Sequence, residues 1–213
     1  ITLQPGIEFK SDRSSGQRIH GEPVINDYSL FISGELNPGA GKLNIRPGFR
    51  FSKNSVYDAP PVIPSLNLKY NIDNNWTLRG SYARGFRAPA LRELYFTFHD
   101  ASHDIEGNPN LKAEHSNSFN ASLSWRSAGK TAVRVNSSVS GFYNVFKDMI
   151  SYANDPVNPG WTTLINIDHF KTTGGLLENT LVWKGLEANI GISYVGRYNS
   201  LSDENEGKEL NSF

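Results

Sequence analysis

The chain has 213 residues, 21 Lys and Arg against 21 Asp and Glu, and no cysteine. Zero net charge excludes an overall electrostatic pull toward nucleic acid, and the lack of thiols excludes disulfide staples, thiolate metal sites and cysteine nucleophiles. No run approaches the roughly 20 apolar residues of a membrane-spanning helix, while the aromatic and glycine content leans toward strands joined by turns.

The chain opens on Ile1-Thr2-Leu3-Gln4-Pro5-Gly6, neither an initiator methionine nor a signal peptide, which reads as a mature product or an excised fragment. Period-two alternation then predicts about nine strands, near 3–10, 26–36, 42–52, 61–72, 76–86, 115–126, 131–146, 162–182 and 186–196. Leu43, Ile45, Pro47, Phe49 and Phe51 alternate with Asn44, Arg46, Gly48, Arg50 and Ser52. Leu66, Leu68, Tyr70 and Ile72 alternate with polar residues in the same way, as do Phe119, Ala121, Leu123 and Trp125, and then Val133, Val135, Val139, Tyr143 and Val145. A β-sandwich gives the same signal, so alternation alone leaves a soluble binding module open.

The connections separate the two. Short turns at 37–41, 73–75, 127–130 and 184–185 alternate with long polar loops at 11–25, 53–60, 87–114, 147–161 and from 197 to the end. Short turns on one side and long loops on the other are the asymmetry of an outer-membrane barrel. Trp76, Trp125 and Trp183 sit beside short turns, as an interfacial aromatic girdle requires; cross-strand packing is the plainer account. Arg46, Arg50, Lys69, Arg79, Arg126 and Arg134 share parity with the polar residues. A cation facing lipid at midplane costs about 2–4 kcal/mol, whereas in a wet lumen it costs little. The predicted class is therefore all-β: an antiparallel transmembrane β-barrel, present here as a partial barrel.

Two motifs add a resemblance. Ser81–Tyr95, centred on Phe86-Arg87-Ala88-Pro89, resembles the FRAP signature of TonB-dependent receptors, and Asn108-Pro109-Asn110-Leu111 resembles the NPNL box that follows it. A third stretch, Asn166 to Gly175, is similar to a long strand later in the same barrels. The resemblance covers about residues 26–196. It implies the bacterial outer membrane, a barrel of about 22 strands, a plug domain absent from 1–213, and import of a scarce nutrient driven by the TonB complex through that plug. It also implies that the chain is the C-terminal part of a receptor, ending in a loop. Locally, Pro89 should stop the ladder, Gly85 gives room for a bend or bulge, and Glu93 pairs with Arg87 or Arg92 on a short helical turn. Both boxes are expected to shape the base of an external loop.

Between the boxes lie His99 and His103. In heme receptors of the resembled family a histidine in this interval is an axial heme ligand, which makes both candidate ligand-binding residues, with Asp100 and Asp104 beside them to orient the rings. The plainer alternatives are solvated loop histidines, or calcium or lipopolysaccharide contact by the two aspartates. His20, His115 and His169 read as structural or surface residues. Phe142, Tyr143, Tyr152 and Trp161 read as an outer girdle or, less readily, a loop lining. No metal site, no catalytic residue and no resident cofactor is expected. The expected partners are outer-membrane lipid and a small-molecule ligand (heme, a ferric siderophore or cobalamin). An outer-membrane barrel enzyme is the remaining alternative, for which the sequence offers His99 beside Asp100 but no convincing nucleophile.

Overall fold

The computed structural model describes residues 1–39, 41–102, 104–128 and 132–199, and the backbone of 211–212. In chain order the elements are β1 (Thr2–Arg13), β2 (Val24–Glu35), β3 (Leu43–Asn54), β4 (Ile63–Asn71), β5 (Trp76–Arg87), α1 (Leu91–Tyr95), β6 (Thr97–His99) and β7 (Asp104–Glu106). There follow β8 (Glu114–Arg126), β9 (Val133–Asn154), β10 (Thr162–Trp183), β11 (Leu186–Asn199) and β12 (Asn211–Ser212). Nine long strands form a wall in the order β1-β2-β3-β4-β5-β8-β9-β10-β11, matching the number expected from alternation. Every pairing along it is antiparallel, and β1 pairs only with β2 among the described residues, so the sheet is open. A loop was expected from 197 onward. Instead β11 runs to Asn199 and the backbone of 211–212 returns against Gly196 and Arg197; residues 200–210 lie outside the described set.

Register carries the alternation across the whole wall. Ile45, Leu68, Gly80, Ala121, Gly141, Gly175 and Tyr194 are successive partners in one row. Two residues away, Leu43, Tyr70, Leu78, Leu123, Val139, Leu177 and Ile192 form another on the same face. Between them, pointing the other way, run Asn44, Lys69, Arg79, Ser122, Ser140, Leu176 and Ser193. Among the described residues no second sheet covers the apolar face: Ile7 is 84% exposed, and Ile190 and Ile192 are each 69% exposed. Contiguous bare apolar surface on this scale is not sustained in water. Hydrocarbon is the solvent that makes it favourable, and a closed barrel, of which this open sheet is a part, is what satisfies every backbone group there.

The short turns are built by local chemistry. Lys184 (φ 46°) and Gly185 (φ 87°) form a two-residue turn with both φ positive, the geometry whose twist matches the flanking strands of β10 and β11. Between β4 and β5 the Asp73 carboxylate accepts the N–H groups of Asn75 and Trp76, each at 2.7 Å. Trp76 then faces Trp125 across the ladder with ring centroids 6.4 Å apart. Trp76 and Trp125 are thus a cross-strand pair on the apolar face beside the turns.

Two expectations need correction. Gly85 marks no bulge; the β5–β8 ladder is regular through Arg87 and Glu114. A Cβ at 85 would stand 2.2 Å from Ser116 Oγ, so the glycine makes room for a cross-strand side chain. The regions 87–114 and 147–161 are also more ordered than plain loops. The first holds α1, β6 and β7; in the second, β9 continues to Asn154 against β10. Strands of 22 residues exceed the roughly 9–11 needed to cross a bilayer, so β9 and β10 rise above it and support the external end.

Candidate functional site

The buried apolar residues gather at that external end. Ile25, Leu91, Leu94, Leu111 and Leu164 form one cluster, with Tyr57, Tyr95 and Ile150 packed against it. The two sequence boxes build it. Pro89, without an N–H, stands two residues past the end of β5. Arg87 ends that strand and donates to Glu114 Oε2 at 2.5 Å and to Glu93 Oε2 at 2.7 Å. Glu93 also accepts the Ala90 N–H at 2.7 Å, closing the first turn of α1, and Glu114 Oε1 accepts the Ile150 N–H at 2.6 Å. One guanidinium thus links β5, α1 and β8, and through Glu114 reaches β9. The expected Arg87–Glu93 pair is present. Phe86 faces the opposite way, 5.5 Å from the His115 ring, and Ala88 is half-buried at the start of the loop.

The second box fastens the far end. Asn108 donates its backbone N–H to Glu93 O at 2.8 Å and its side-chain amide to Leu164 O at 2.8 Å, while Oδ1 accepts the Asn110 N–H at 2.9 Å. Pro109 and Asn110 form the exposed corner, and Leu111 turns inward to 3% exposure. Asn166 then pairs with the Lys112 backbone in both directions, at 2.8 and 3.0 Å. Just before the box, Gly107 lies against α1: a Cβ there would stand 2.8 Å from the Leu94 carbonyl carbon. Burial also raises the phenol pKa of Tyr57, with the neighbouring Tyr95 and Glu93 adding to the effect.

Between the boxes, β6 and β7 form a hairpin that pairs Thr97 with Glu106, Phe98 with Ile105 and His99 with Asp104. On one flank Ile19 bridges Phe96, and the Thr97 and His20 N–H groups donate to Arg18 O and Tyr95 O. On the other, Ile105 pairs with Thr162 at the start of β10. The hairpin therefore links the β1–β2 loop to β10.

His99 sits on this hairpin with Nδ1 2.8 Å from Asp104 Oδ1 and Nε2 3.0 Å from Thr97 Oγ1. An ionised carboxylate only accepts, so Nδ1 carries a proton, and Nε2 lies at hydrogen-bond distance from the Thr97 hydroxyl, which can donate to it. The Trp161 ring packs on the imidazole at 4.5 Å between centroids. Glu106 lies between two histidines, 3.6 Å from His99 Nε2 and 3.5 Å from His20 Nε2. Phe96 and Phe98 stack at 6.4 Å, with Arg92 over the first ring and Arg18 over the second.

Against the sequence expectations, Asp104 does hold His99, and Asp100 accepts the Ser102 N–H. His103 lies outside the described residues. Trp161 belongs to this cluster and not to a girdle, since the turn from Asp155 to Trp161 folds it onto His99. His20, read as a structural or surface residue, is exposed, and the β1–β2 loop brings it to within 3.5 Å of Glu106, which no local signal announces. Among the described residues no group of three His, Cys, Asp or Glu is placed to hold a metal ion. On the concave, polar face, Arg46 meets Glu35 at 3.0 Å and Arg50 meets Glu8 at 3.1 Å. Glu35, Arg46, Lys69, Arg79, Ser122 and Ser140 line a groove of about 880 Å³ there.

Comparison with known proteins agrees with this architecture. Residues 7–212 match the family model described as TonB dependent receptor-like, beta-barrel. An iron-regulated outer membrane virulence protein of Vibrio cholerae serotype O1 is 36% identical over 123 residues, 52% of this chain and 18% of its own. Hemoglobin-haptoglobin utilization protein B of Neisseria meningitidis serogroup A is 26% identical over 207 residues, 92% of this chain and 22% of its own. The chain thus spans about a fifth of the length of these relatives. Among solved structures, the Serratia marcescens hemophore receptor HasR, with its hemophore HasA and heme, superposes with a TM-score of 0.70 at 15% identity, over 92% of this chain and 38% of its own. The siderophore receptor PirA of Pseudomonas aeruginosa gives 0.65 at 17% identity, over 92% and 43%. At such identities these likenesses speak for the fold alone, whereas the family model covers nearly every residue. The chain belongs to the TonB-dependent receptor family and forms part of an outer-membrane β-barrel.

Proposed function

We propose that residues 1–213 form part of the barrel domain of a receptor that takes up an iron-bearing nutrient, with heme as the ligand and the external hairpin as its contact. Import would be driven by the TonB complex acting on a plug domain outside this chain, and no covalent chemistry is assigned to any residue. The observation that carries the ligand reading is the state of His99. Asp104 holds Nδ1, Trp161 supports one side of the ring, and among the described residues Nε2 has only the Thr97 hydroxyl at hydrogen-bond distance, with the Glu106 carboxylate 3.6 Å away. Replacing that contact by ferric iron gives up one neutral hydrogen bond, about 0.5–1.5 kcal/mol, for a coordinate bond. The carboxylate on Nδ1 is the kind of partner that orients a ligating imidazole. Phe96 and Phe98 offer aromatic surface, and Arg18 and Arg92 offer positive charge suited to propionates. His103, four residues on, is the second candidate. The relatives named for hemoglobin and hemoglobin–haptoglobin use lean the same way.

The test is a titration of full-length receptor with hemin. The Soret band should shift on binding and weaken in His99→Ala or His103→Ala, and Asp104→Asn should shift it less while leaving assembly unchanged. An unchanged spectrum and affinity in both histidine variants removes the assignment and leaves a siderophore as the ligand to examine.

A further inference from the structure

The apolar face does not stay apolar to its external end. Above the row containing Tyr82, Phe119 and Tyr143, the register places Arg84, Asn117, Val145 and Lys171 in line. In the next row stand Phe86, His115, Lys147 and His169. Five basic side chains therefore share the lipid-side parity at the external ends of β5, β8, β9 and β10. Pro64, Tyr82, Arg84, His115, Asn117, Val145 and Lys147 line an open groove of about 530 Å³ there. The acidic residue beside the patch, Asp168, is held by His169 at 2.9 Å. Lys171 lies over the Tyr198 ring at 5.1 Å. Among the described residues, none of the ion pairs involves Arg84, Lys147 or Lys171.

We propose that this patch binds a phosphorylated lipid headgroup of the outer leaflet. The lumen cannot supply its counter-charge, because these side chains point away from it. For Arg84, Lys147 and Lys171 their own strands do not supply it either, unlike His169, which has Asp168, and the inner-face Arg46 and Arg50, which have Glu35 and Glu8. The patch begins where the aromatic row ends, so an acyl chain lying on Tyr82, Phe119 and Tyr143 brings its headgroup to Arg84 and Lys147. Arg84 and Lys171 are three strand steps apart, about 14 Å, a span suited to a headgroup with more than one phosphate. Basic clusters beside a bilayer attract anionic headgroups, and long cationic side chains reach up to them while their stems remain on apolar surface. The inference depends on which face meets lipid and is independent of the transported ligand.

The test uses the full-length receptor in neutral detergent and a bis-phosphorylated glucosamine lipid as the probe, read by native mass spectrometry. In Arg84→Gln/Lys147→Gln/Lys171→Gln, affinity should fall about tenfold or more, while Arg126→Gln on the lumenal face leaves it unchanged. The dephosphorylated lipid should bind both proteins equally weakly, and millimolar inorganic phosphate should not displace the lipid. Equal retention by the triple variant overturns the site; displacement by free phosphate overturns the lipid as its source. Heat-modifiable gel migration reports assembly. If the triple variant does not assemble, Lys147→Gln and Lys171→Gln are measured singly, and full retention in both is equally fatal.

Discussion

Ile25 of β2 and Leu164 of β10 belong to one buried cluster, although six strand-to-strand steps separate them along the wall. Six steps amount to about 29 Å of sheet, so only curvature and material placed across the concave side bring them together. Leu91 and Leu94 of α1 and Leu111 of the second box are that material. The loop between β5 and β8 therefore acts as a tie across the external mouth and carries His99 on it.

Leu94→Ala tests the tie. Leu94 is 2% exposed, and removing a buried leucine side chain typically costs about 2–5 kcal/mol. The loss should appear as faster local opening of residues 88–113, because the wall strands are held by lipid and by their own ladders. Limited proteolysis of intact receptor should cut this loop much faster in the variant, with heat-modifiable migration unchanged. Unaltered cleavage would mean that the cluster does not hold the loop.

Two glycines separate a rigid contact from a soft one. A Cβ at Gly107 would meet the Leu94 backbone at 2.8 and 2.9 Å, and a Cβ at Gly85 would meet the Ser116 hydroxyl at 2.2 Å. Backbone of a packed helix has nowhere to go, whereas a serine side chain can change rotamer. Gly107→Ala should therefore accelerate loop cleavage at least as strongly as Leu94→Ala, with Gly85→Ala close to the native protein. The reverse order would overturn the assignment.

The sequence reveals the wall because its physics is local. Period two, turn residues and loop asymmetry are all read within a few residues, and the motifs add the family. The sequence also offered Asp100 and Asp104 as partners for the histidines, and Asp104, five residues away, is the one found on His99. What was not legible lies in long-range closure. His20 reaches Glu106, and Trp161 reaches His99, because a distant turn folds each onto the hairpin. The end of β9 was missed for a different reason. Beyond Val145 the alternation fails at Phe146, Lys147 and Asp148, and Asp148 has φ 56°, yet pairing continues to Asn154 against β10.

The assignment of faces is tested by adjacent residues of β3. Ile45 belongs to the apolar row through Leu68 and Gly80, while Arg46 faces the lumen against Glu35. Arginine placed in hydrocarbon costs about 2–4 kcal/mol near midplane; losing an exposed lumenal ion pair costs about 0–1 kcal/mol. Ile45→Arg should lower the yield of heat-modifiable receptor in the outer-membrane fraction severely, and Arg46→Ala only slightly. Similar yields would mean that the parity is wrong.

The turn that delivers Trp161 to His99 should depend on pH through Asp155. Its Oδ1 accepts the N–H groups of Val157 at 2.7 Å and Asn158 at 3.0 Å, while its own N–H donates to Trp161 O at 2.9 Å. The Asn158 backbone contact first, and then that of Val157, holds the carboxyl below its ordinary value. With a depressed folded pKa, the stabilisation is present above the ordinary carboxylate pKa of about 3.9 and disappears as pH falls through the folded value. Trp161 emission, isolated by subtracting a Trp161→Phe spectrum and measured with His99→Phe so that the imidazole does not contribute, should be flat from neutral pH to about 4 and change below it. Asp155→Asn keeps an acceptor oxygen but cannot titrate, so its emission should stay flat throughout. An identical acid transition in the asparagine variant would show that another group controls the turn.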